Sequence, residues 1–352
     1  MTSGVALIKK LATAFGPSGC EGAVEALIRE ELQGTSAVLS TDKMGNLTAR
    51  LAGPEGAPRI MLSAHMDEVG FMVTEIEDSG LVRFACVGGI DPRVMCGRFV
   101  KMGNEEKQVP GVLTAKGIHF MDRDERKKMP SADQMYIDIG TTSREETEKL
   151  LSLGDFGTFD TEFMQFGENG AYVASKALDD RMGCAILIEV LRTLSDKHLP
   201  LDLYFCFTVR EEIGLSGAGV TANRIAPHAA IILETTAIAD IEDVPPARRV
   251  ANVGRGGVLS LADRSTIYDR DFVQFALKTG AEHGIPVQVK RYVSGGNDAG
   301  HIQRTGAGVR CIALSAATRY LHAPISVAAL SDVKAMENII IAMLTNWNEG
   351  GI

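Results

Sequence analysis

Two stretches of alternating helix and strand patterns flank about 100 residues that pattern almost wholly as strands. That interruption restricts the chain to an α/β domain carrying an inserted β-rich unit. In the first stretch Leu7, Ile8, Leu11 and Phe15 recur at helical spacing, as do Val24, Ile28 and Leu32. AVLSTDKMGNLTARL reads as a hairpin with Gly45-Asn46 near its turn, and RIMLSAH as a short buried strand. From Val69 to Gly170 come FMVTEIEDSGLVRFACV, RFVKMGNEEKQVPGVLTAK and QMYIDIG, strands and hairpins broken only by a short helical candidate, SREETEKLL. After Ala171 the alternation resumes. Helices are expected in RMGCAILIEVLRTL, SGAGVTANRI, RDFVQFALKTGAEHG and SDVKAMENIIIAMLTNWN, and strands in LDLYFCFTV, AAIILE, PVQVKRYV and VRCIALS. The expected architecture is an α/β domain built from residues 1–68 and 171–352, with residues 69–170 forming the insert.

Composition bounds the function. The 352 residues carry a net charge of -9, which disfavours a general nucleic-acid binder. The N-terminal MTSGVALIKKLATAFG lacks the long apolar region and cleavage site of a secretory signal. No apolar run approaches the roughly 18 residues a membrane span needs. Cys20, Cys86, Cys96, Cys184, Cys206 and Cys311 form no close CxxC pair and read as reduced thiols, so a cytoplasmic location is expected.

In open α/β sheets, sites form beyond the carboxyl ends of strands. The polar residues at those places are therefore the candidates. RIMLSA ends in His65-Met66-Asp67, LYFCFTVR in Glu211-Glu212 and AAIIL in Glu234, while VRCIALS leads on to His322. Asp179-Asp180 opens a helix. Two adjacent carboxylates after an apolar strand are costly without a cation. One of the glutamates can bind a metal while the other shuttles a proton for a metal-held water. Nitrogen and oxygen ligands of this kind suit zinc, cobalt or manganese. Asp67 can orient the His65 ring, and a carboxylate such as Asp179 can bridge two cations. Taken singly, each element has a plainer reading: a chance HxD, a helix N-cap at Asp179-Asp180, a solvated glutamate pair, a surface histidine. Their shared placement is what argues for a site. His119, His198, His228, His283 and His301 lack such context and read as structural or surface residues. GGNDAG (295–300) follows a strand, so Asn297 and Asp298 are candidate substrate contacts or a plain turn. MDRDERKKMP (121–130) reads as a solvated loop.

HMDEVGFMV, VGGIDPRVMCGR, KALDDRMGCAI, TVREEIGLSGA, GGNDAG and ATRYLHAPIS occur in the order seen in the glutamyl and tetrahedral (TET) aminopeptidases, which the chain resembles over nearly its whole length. The resemblance implies a zinc-peptidase-like α/β/α sandwich with a mixed sheet, plus an inserted β-barrel-like dimerisation domain. It implies a cytoplasmic metallo-aminopeptidase holding two divalent ions per subunit, acting on peptides and assembling from dimers into a dodecamer, with no nucleic-acid or membrane partner. It implies that His65, Asp179 and Glu234 bind one metal. Asp179, Glu212 and His322 would bind the other, with Asp179 bridging, Glu211 as general base and Asp67 orienting His65. The chain departs from the family's usual pattern at Glu234, where Asp is common, and in GGND, where GGTD is common. Competing readings are a di-metal amidase or deacylase acting on non-peptide amides, and a non-catalytic metal-binding scaffold, in which Glu211 would be surplus. A cellulase would leave the histidines without a role.

Overall fold

In a computed structural model, which describes residues 3–347, the chain forms a large mixed sheet covered by helices and a separate closed barrel. Asn348, the end of the expected closing helix, lies outside the described residues. The chain opens with helices α1 (Ser3–Ala12) and α2 (Gly22–Glu31) and strands β1 (Val38–Thr41), β2 (Leu47–Leu51) and β3 (Arg59–His65). The next six strands are β4 (Gly70–Ile76), β5 (Val82–Val87), β6 (Arg98–Gly103), β7 (Gln108–Ala115), β8 (Met135–Asp138) and β9 (Phe156–Phe159). They close on themselves in the order β4-β5-β8-β7-β6-β9, and closure removes exposed sheet edges. A one-turn helix, α3 (Arg144–Thr147), is all that forms of the helical candidate SREETEKLL. Ser143 caps it by accepting the Glu146 N–H.

The rest of the chain returns to the large sheet. Its elements are β10 (Met164–Phe166), β11 (Tyr172–Ser175), α4 (Leu178–Leu194), β12 (Asp202–Thr208), α5 (Ser216–Ile225), β13 (Ala229–Ala237), β14 (Gly257–Leu259), α6 (Arg270–Glu282), β15 (Val287–Val289), α7 (Ala299–Ile302), β16 (Arg310–Arg319), β17 (Ser326–Ala329) and α8 (Leu330–Thr345). The sheet runs β1-β2-β12-β3-β13-β16-β17-β11-β10, with β14 and β15 added at the side. Its centre, β12-β3-β13-β16, is parallel, and every residue of β3 except Arg59 is buried. Strands buried on both faces need apolar runs rather than alternation, which is why RIMLSA and AAIIL are so uniformly apolar. Helix α4 packs across β3 and β13 beside α1 and α8, and α5 covers β12.

The two bodies have separate cores. Phe71 anchors the barrel's interior, meeting Phe84 and Phe159 edge-on with ring centroids 5.1 Å away in each case. The sheet's core is mainly aliphatic, running from Leu11 through Ile60, Leu62 and Ile231 to Ile340, with Phe205, Phe207 and Phe272 buried in it. All six cysteines are free thiols. No described helix is long and apolar enough to cross a membrane.

Candidate metal centre

Strand register sets the floor of the site. Thr208 pairs with His65, and Glu234 pairs with Ser315. The β13–β3 pairing ends at Ile232 and Ser63, so Glu234 and His65 sit two residues beyond it on adjacent parallel strands. Glu234 therefore belongs to the same row as His65. It lies inside β13, three residues before Ala237, and not at a strand end as its sequence position suggested. Past the end of β12 the chain turns at Arg210, which has φ 58°, and delivers Glu211 and Glu212 over this row.

Asp179 supplies the centre. Its Oδ1 lies 3.3 Å from His65 Nε2, and its Oδ2 lies 3.3 Å from His322 Nε2. The same His322 nitrogen is 3.2 Å from Glu212 Oε1. The Asp179-Asp180 pair divides the two roles its sequence allowed. Asp180 Oδ1 accepts the Gly183 N–H at 3.0 Å and caps the regular part of α4, while Asp179 leaves helical geometry and faces the histidines. Ala177, Arg210, Tyr320 and His322, all at or near the site, occupy the left-handed region, with φ of 50°, 58°, 60° and 56°. Such conformations cost about 1 kcal/mol or more each and persist where surrounding structure imposes them.

Asp67 is fully buried and holds the cluster from behind. Its Oδ1 accepts the Glu211 N–H at 3.0 Å, and its Oδ2 accepts the Glu212 N–H at 3.1 Å and the Ser18 hydroxyl at 2.6 Å. His65 Nδ1 is closer to the Asp67 main-chain carbonyl, 3.1 Å, than to the carboxylate, 3.5 Å. His322 Nδ1 lies 2.9 Å from the Gly89 carbonyl, so a segment following barrel strand β5 orients a histidine of the large sheet. In both rings Nδ1 faces an acceptor, which leaves Nε2 to coordinate.

Side-chain ligand atoms of His65, Asp179 and Glu234 fall within 4.8 Å of one another, as do those of Asp179, Glu212 and His322 and those of His65, Glu211 and Glu212. The donor set fits divalent cations of the zinc type. Charge points the same way. Burial pushes Glu211 and Glu234 well above the ordinary carboxylate range, and burial with the nearby Asp179 raises Glu212 to about 7. Burial opposes protonation of His65, but Asp179 and Asp67 outweigh it and hold the imidazole well above its usual value. Asp179, despite burial, is held low by the imidazoles of His322 and His65 beside it. Its buried Oδ1 nonetheless has no hydrogen-bond partner of good geometry, the mark of an acceptor waiting for a cation.

A cavity of about 240 Å³ opens onto the cluster. Glu211, Glu212, Glu234, Asp179 and His322 line it, together with Ser260, Asp263, Lys290 and Asn297. Asn297 reaches the cavity. Asp298 is buried behind it and accepts the Thr208 hydroxyl at 2.7 Å. Lys290 and Asp263 were not singled out from sequence. The expected strand PVQVKRYV runs through Lys290, whereas β15 ends at Val289, so the strand-end criterion passes over it; Asp263 sits in a turn and leaves no such signal. Lys290 Nζ donates to the Ser294 carbonyl at 2.9 Å, and Asp263 is occupied by Ser265, Thr266 and Tyr268. His119, His198, His228, His283 and His301 are all exposed and stand apart from the cluster.

The sequence model of the M42 glutamyl aminopeptidase family matches residues 45–339. A putative aminopeptidase of Acetivibrio thermocellus is 34% identical over 335 residues, covering 95% of this chain and 96% of that protein. Among solved structures, a TET aminopeptidase from a marine-sediment archaeon of the Thaumarchaeota superposes with TM-score 0.95 at 32% identity, covering 99% of this chain and 97% of that one. The Pyrococcus horikoshii TET1 peptidase, described as able to assemble into a tetrahedron or a large octahedral shell, superposes with TM-score 0.87 at 34% identity, covering 98% and 100%.

Proposed function

Because this chain belongs to the M42 glutamyl aminopeptidase family of peptide hydrolases, we propose that it removes N-terminal residues from peptides at a centre of two divalent metals, with Glu211 as general base. The observation that carries the reading is Asp179, whose two oxygens face His65 on one side and His322 on the other. His65, Asp179 and Glu234 would hold one ion, and Asp179, Glu212 and His322 the second. When bound, the ions supply Lewis acidity, polarising the scissile carbonyl and lowering the pKa of water.

The protein's own groups do the rest. Glu211 takes the proton of the attacking water and returns it to the departing amine, a task suited to a buried carboxylate whose proton affinity is raised. Asp67 fixes the backbone of Glu211 and Glu212 together, so that base and ligand share one frame. Asp67 and Gly89 orient the two imidazoles. Asn297 lines the substrate cavity with its amide held by Tyr268 and the Ala299 N–H, and Asp298 supports that turn from behind. Zinc, cobalt and manganese all suit the donor set.

The barrel serves self-association in this reading. Phe99 and Val112 oppose each other in the β6–β7 register and are 68% and 38% exposed. An apolar pair on an outer barrel face favours burial against another surface. We assign the chain to dimers built through residues 69–170 and to a dodecamer of such dimers, in a cytoplasmic setting.

Chelation followed by titration with Co²⁺, Zn²⁺ or Mn²⁺ tests the function. Hydrolysis of aminoacyl anilides should vanish on chelation and recover as the bound metal approaches two ions per subunit. Cleavage of N-acyl amino acids without cleavage of aminoacyl anilides would favour a deacylase instead. Metal uptake without hydrolysis of either would leave only a scaffold.

A further inference from the structure

Behind Asp67 lies a second polar cluster that holds no candidate metal ligand and does not line the cavity. Glu68, Thr158, Lys176 and Arg181 are 3%, 0%, 3% and 0% exposed. Lys176 Nζ donates to Glu68 Oε1 at 2.6 Å, to Glu68 Oε2 at 2.8 Å and to the Ala14 carbonyl at 2.8 Å. Arg181 donates to the carbonyls of Met66, Leu11 and Gly16 at 2.6, 2.7 and 3.1 Å and reaches Glu68 Oε1 at 3.3 Å. Thr158, on barrel strand β9, donates to Glu68 Oε2 at 2.7 Å. A Cβ on Gly16 would come within 2.7 Å of the Arg181 guanidinium, so the loop has closed tightly onto that side chain.

Stability alone does not account for this arrangement. Two cations share one carboxylate, and a buried ion pair is often no more stabilising than apolar residues of the same volume. Its connections explain it better. Met66 and Glu68 flank Asp67, and Arg181 follows Asp179-Asp180 directly. Arg181 thus ties the segment carrying His65 and Asp67 to the segment carrying Asp179. Lys176 and Thr158 lock the far end of the first segment to the start of α4 and to the barrel.

We propose that Glu68, Thr158, Lys176 and Arg181 are positioning residues for peptide hydrolysis: by clamping residues 66–68 against the 176–181 segment and barrel strand β9 they set the placement of Asp67 relative to Asp179, and through Asp67 the placement of Glu211 and Glu212. The proposal rests on the function assigned in the preceding subsection.

The test uses the full-length protein loaded with Co²⁺, and three variants: Lys176→Met, the double variant Glu68→Met/Lys176→Met, and Thr158→Val. Melting temperature, kcat and KM on an aminoacyl anilide, and the visible absorption spectrum of bound Co²⁺ are measured for each. Lys176→Met leaves Glu68 without its main partner and should melt at lower temperature. The double variant also takes from buried Arg181 its carboxylate partner, so it should melt no higher than Lys176→Met. Its kcat should remain about 10- to 100-fold low with KM little changed, as is usual when groups supporting metal ligands are removed, and its Co²⁺ spectrum should stay altered. Thr158→Val removes one hydroxyl without a change of volume; it should lower kcat, shift the spectrum and leave KM unchanged. Wild-type kcat and spectrum in either the double variant or Thr158→Val would overturn the proposal. If the wild-type protein hydrolyses no aminoacyl anilide, the functional reading fails, and the Co²⁺ spectra alone still decide whether the clamp positions the site.

Discussion

The carboxylate of Asp67 accepts the backbone N–H of Glu211 at 3.0 Å. The same carboxylate takes the Glu212 N–H and the Ser18 hydroxyl, so its acceptor capacity is spent on holding the glutamate pair. Its part in orienting His65 falls more to its main-chain carbonyl. Asp67→Asn would present an amide N–H to one of those donors. It should lower kcat by about 10- to 100-fold, the range seen for partners of metal ligands. Metal content should fall less than activity. Measuring kcat beside bound metal per subunit checks this; wild-type kcat would refute it.

The contact between His322 and the Gly89 carbonyl makes one of the two proposed metal positions depend on the segment that follows barrel strand β5. Gly88 has φ +81°, and a Cβ there would lie 2.8 Å from Val69 and 3.3 Å from the Glu212 Cβ. Gly88→Ala should therefore disturb the position formed by Asp179, Glu212 and His322 and spare the one formed with His65 and Glu234. Calorimetric titration of the chelated protein should show one affinity weakened and the other retained. Equal weakening of both would contradict the division of ligands.

Metal-free protein should become less stable as pH rises. Burial raises Glu212 and Glu21 each to about 7 and Asp298 to about 6. His322, opposed by burial but favoured by Asp179 and Glu212, rises to about 9. All four groups bind protons more tightly folded than unfolded, so their contribution is complete below the unfolded values and is lost as pH climbs through the folded ones. The melting temperature of chelated protein should fall between pH 5 and 8. Metal-loaded protein, whose ligands stay ionised, should show a shallower slope. Equal slopes with and without metal would count against cations at these carboxylates.

Self-association should depend on the outer barrel face. Phe99→Lys places a charge on the exposed patch shared with Val112. Light scattering should then report a smaller mass than wild type, with the melting temperature little changed because Phe99 lies outside the barrel core. An unchanged mass would remove this face from the interface.

Much of this was legible because buried strands must end somewhere polar. His65, Asp67, Glu211 and Glu212 stand just beyond apolar runs, and the ends of β3 and β12 place them together. Glu234 was found for a partly mistaken reason. Its strand runs on to Ala237, and it reaches the site through register with β3, a long-range property no local pattern encodes. Asp179-Asp180 allowed two readings because capping and coordination both call for a carboxylate at a helix start; Asp180 takes the cap, and Asp179 faces His65 and His322. The Asp67 contacts to the Glu211 and Glu212 amides span more than 140 positions, and the Gly89 contact to His322 spans 233. The Lys176–Glu68 clamp was invisible for the same reason: lysine and glutamate normally signal surface, and only the packed fold shows them buried.

The central claim is that Glu211 moves the proton while Glu212 holds metal. Glu211→Gln keeps the side chain's size and removes its capacity as a base. Its kcat on an aminoacyl anilide, measured on protein whose metal content is determined in the same sample, tests the claim most directly. A loss of at least about 100-fold, within the range general-base catalysis contributes, is predicted, with two ions per subunit retained. Near wild-type turnover with both metals bound would contradict it.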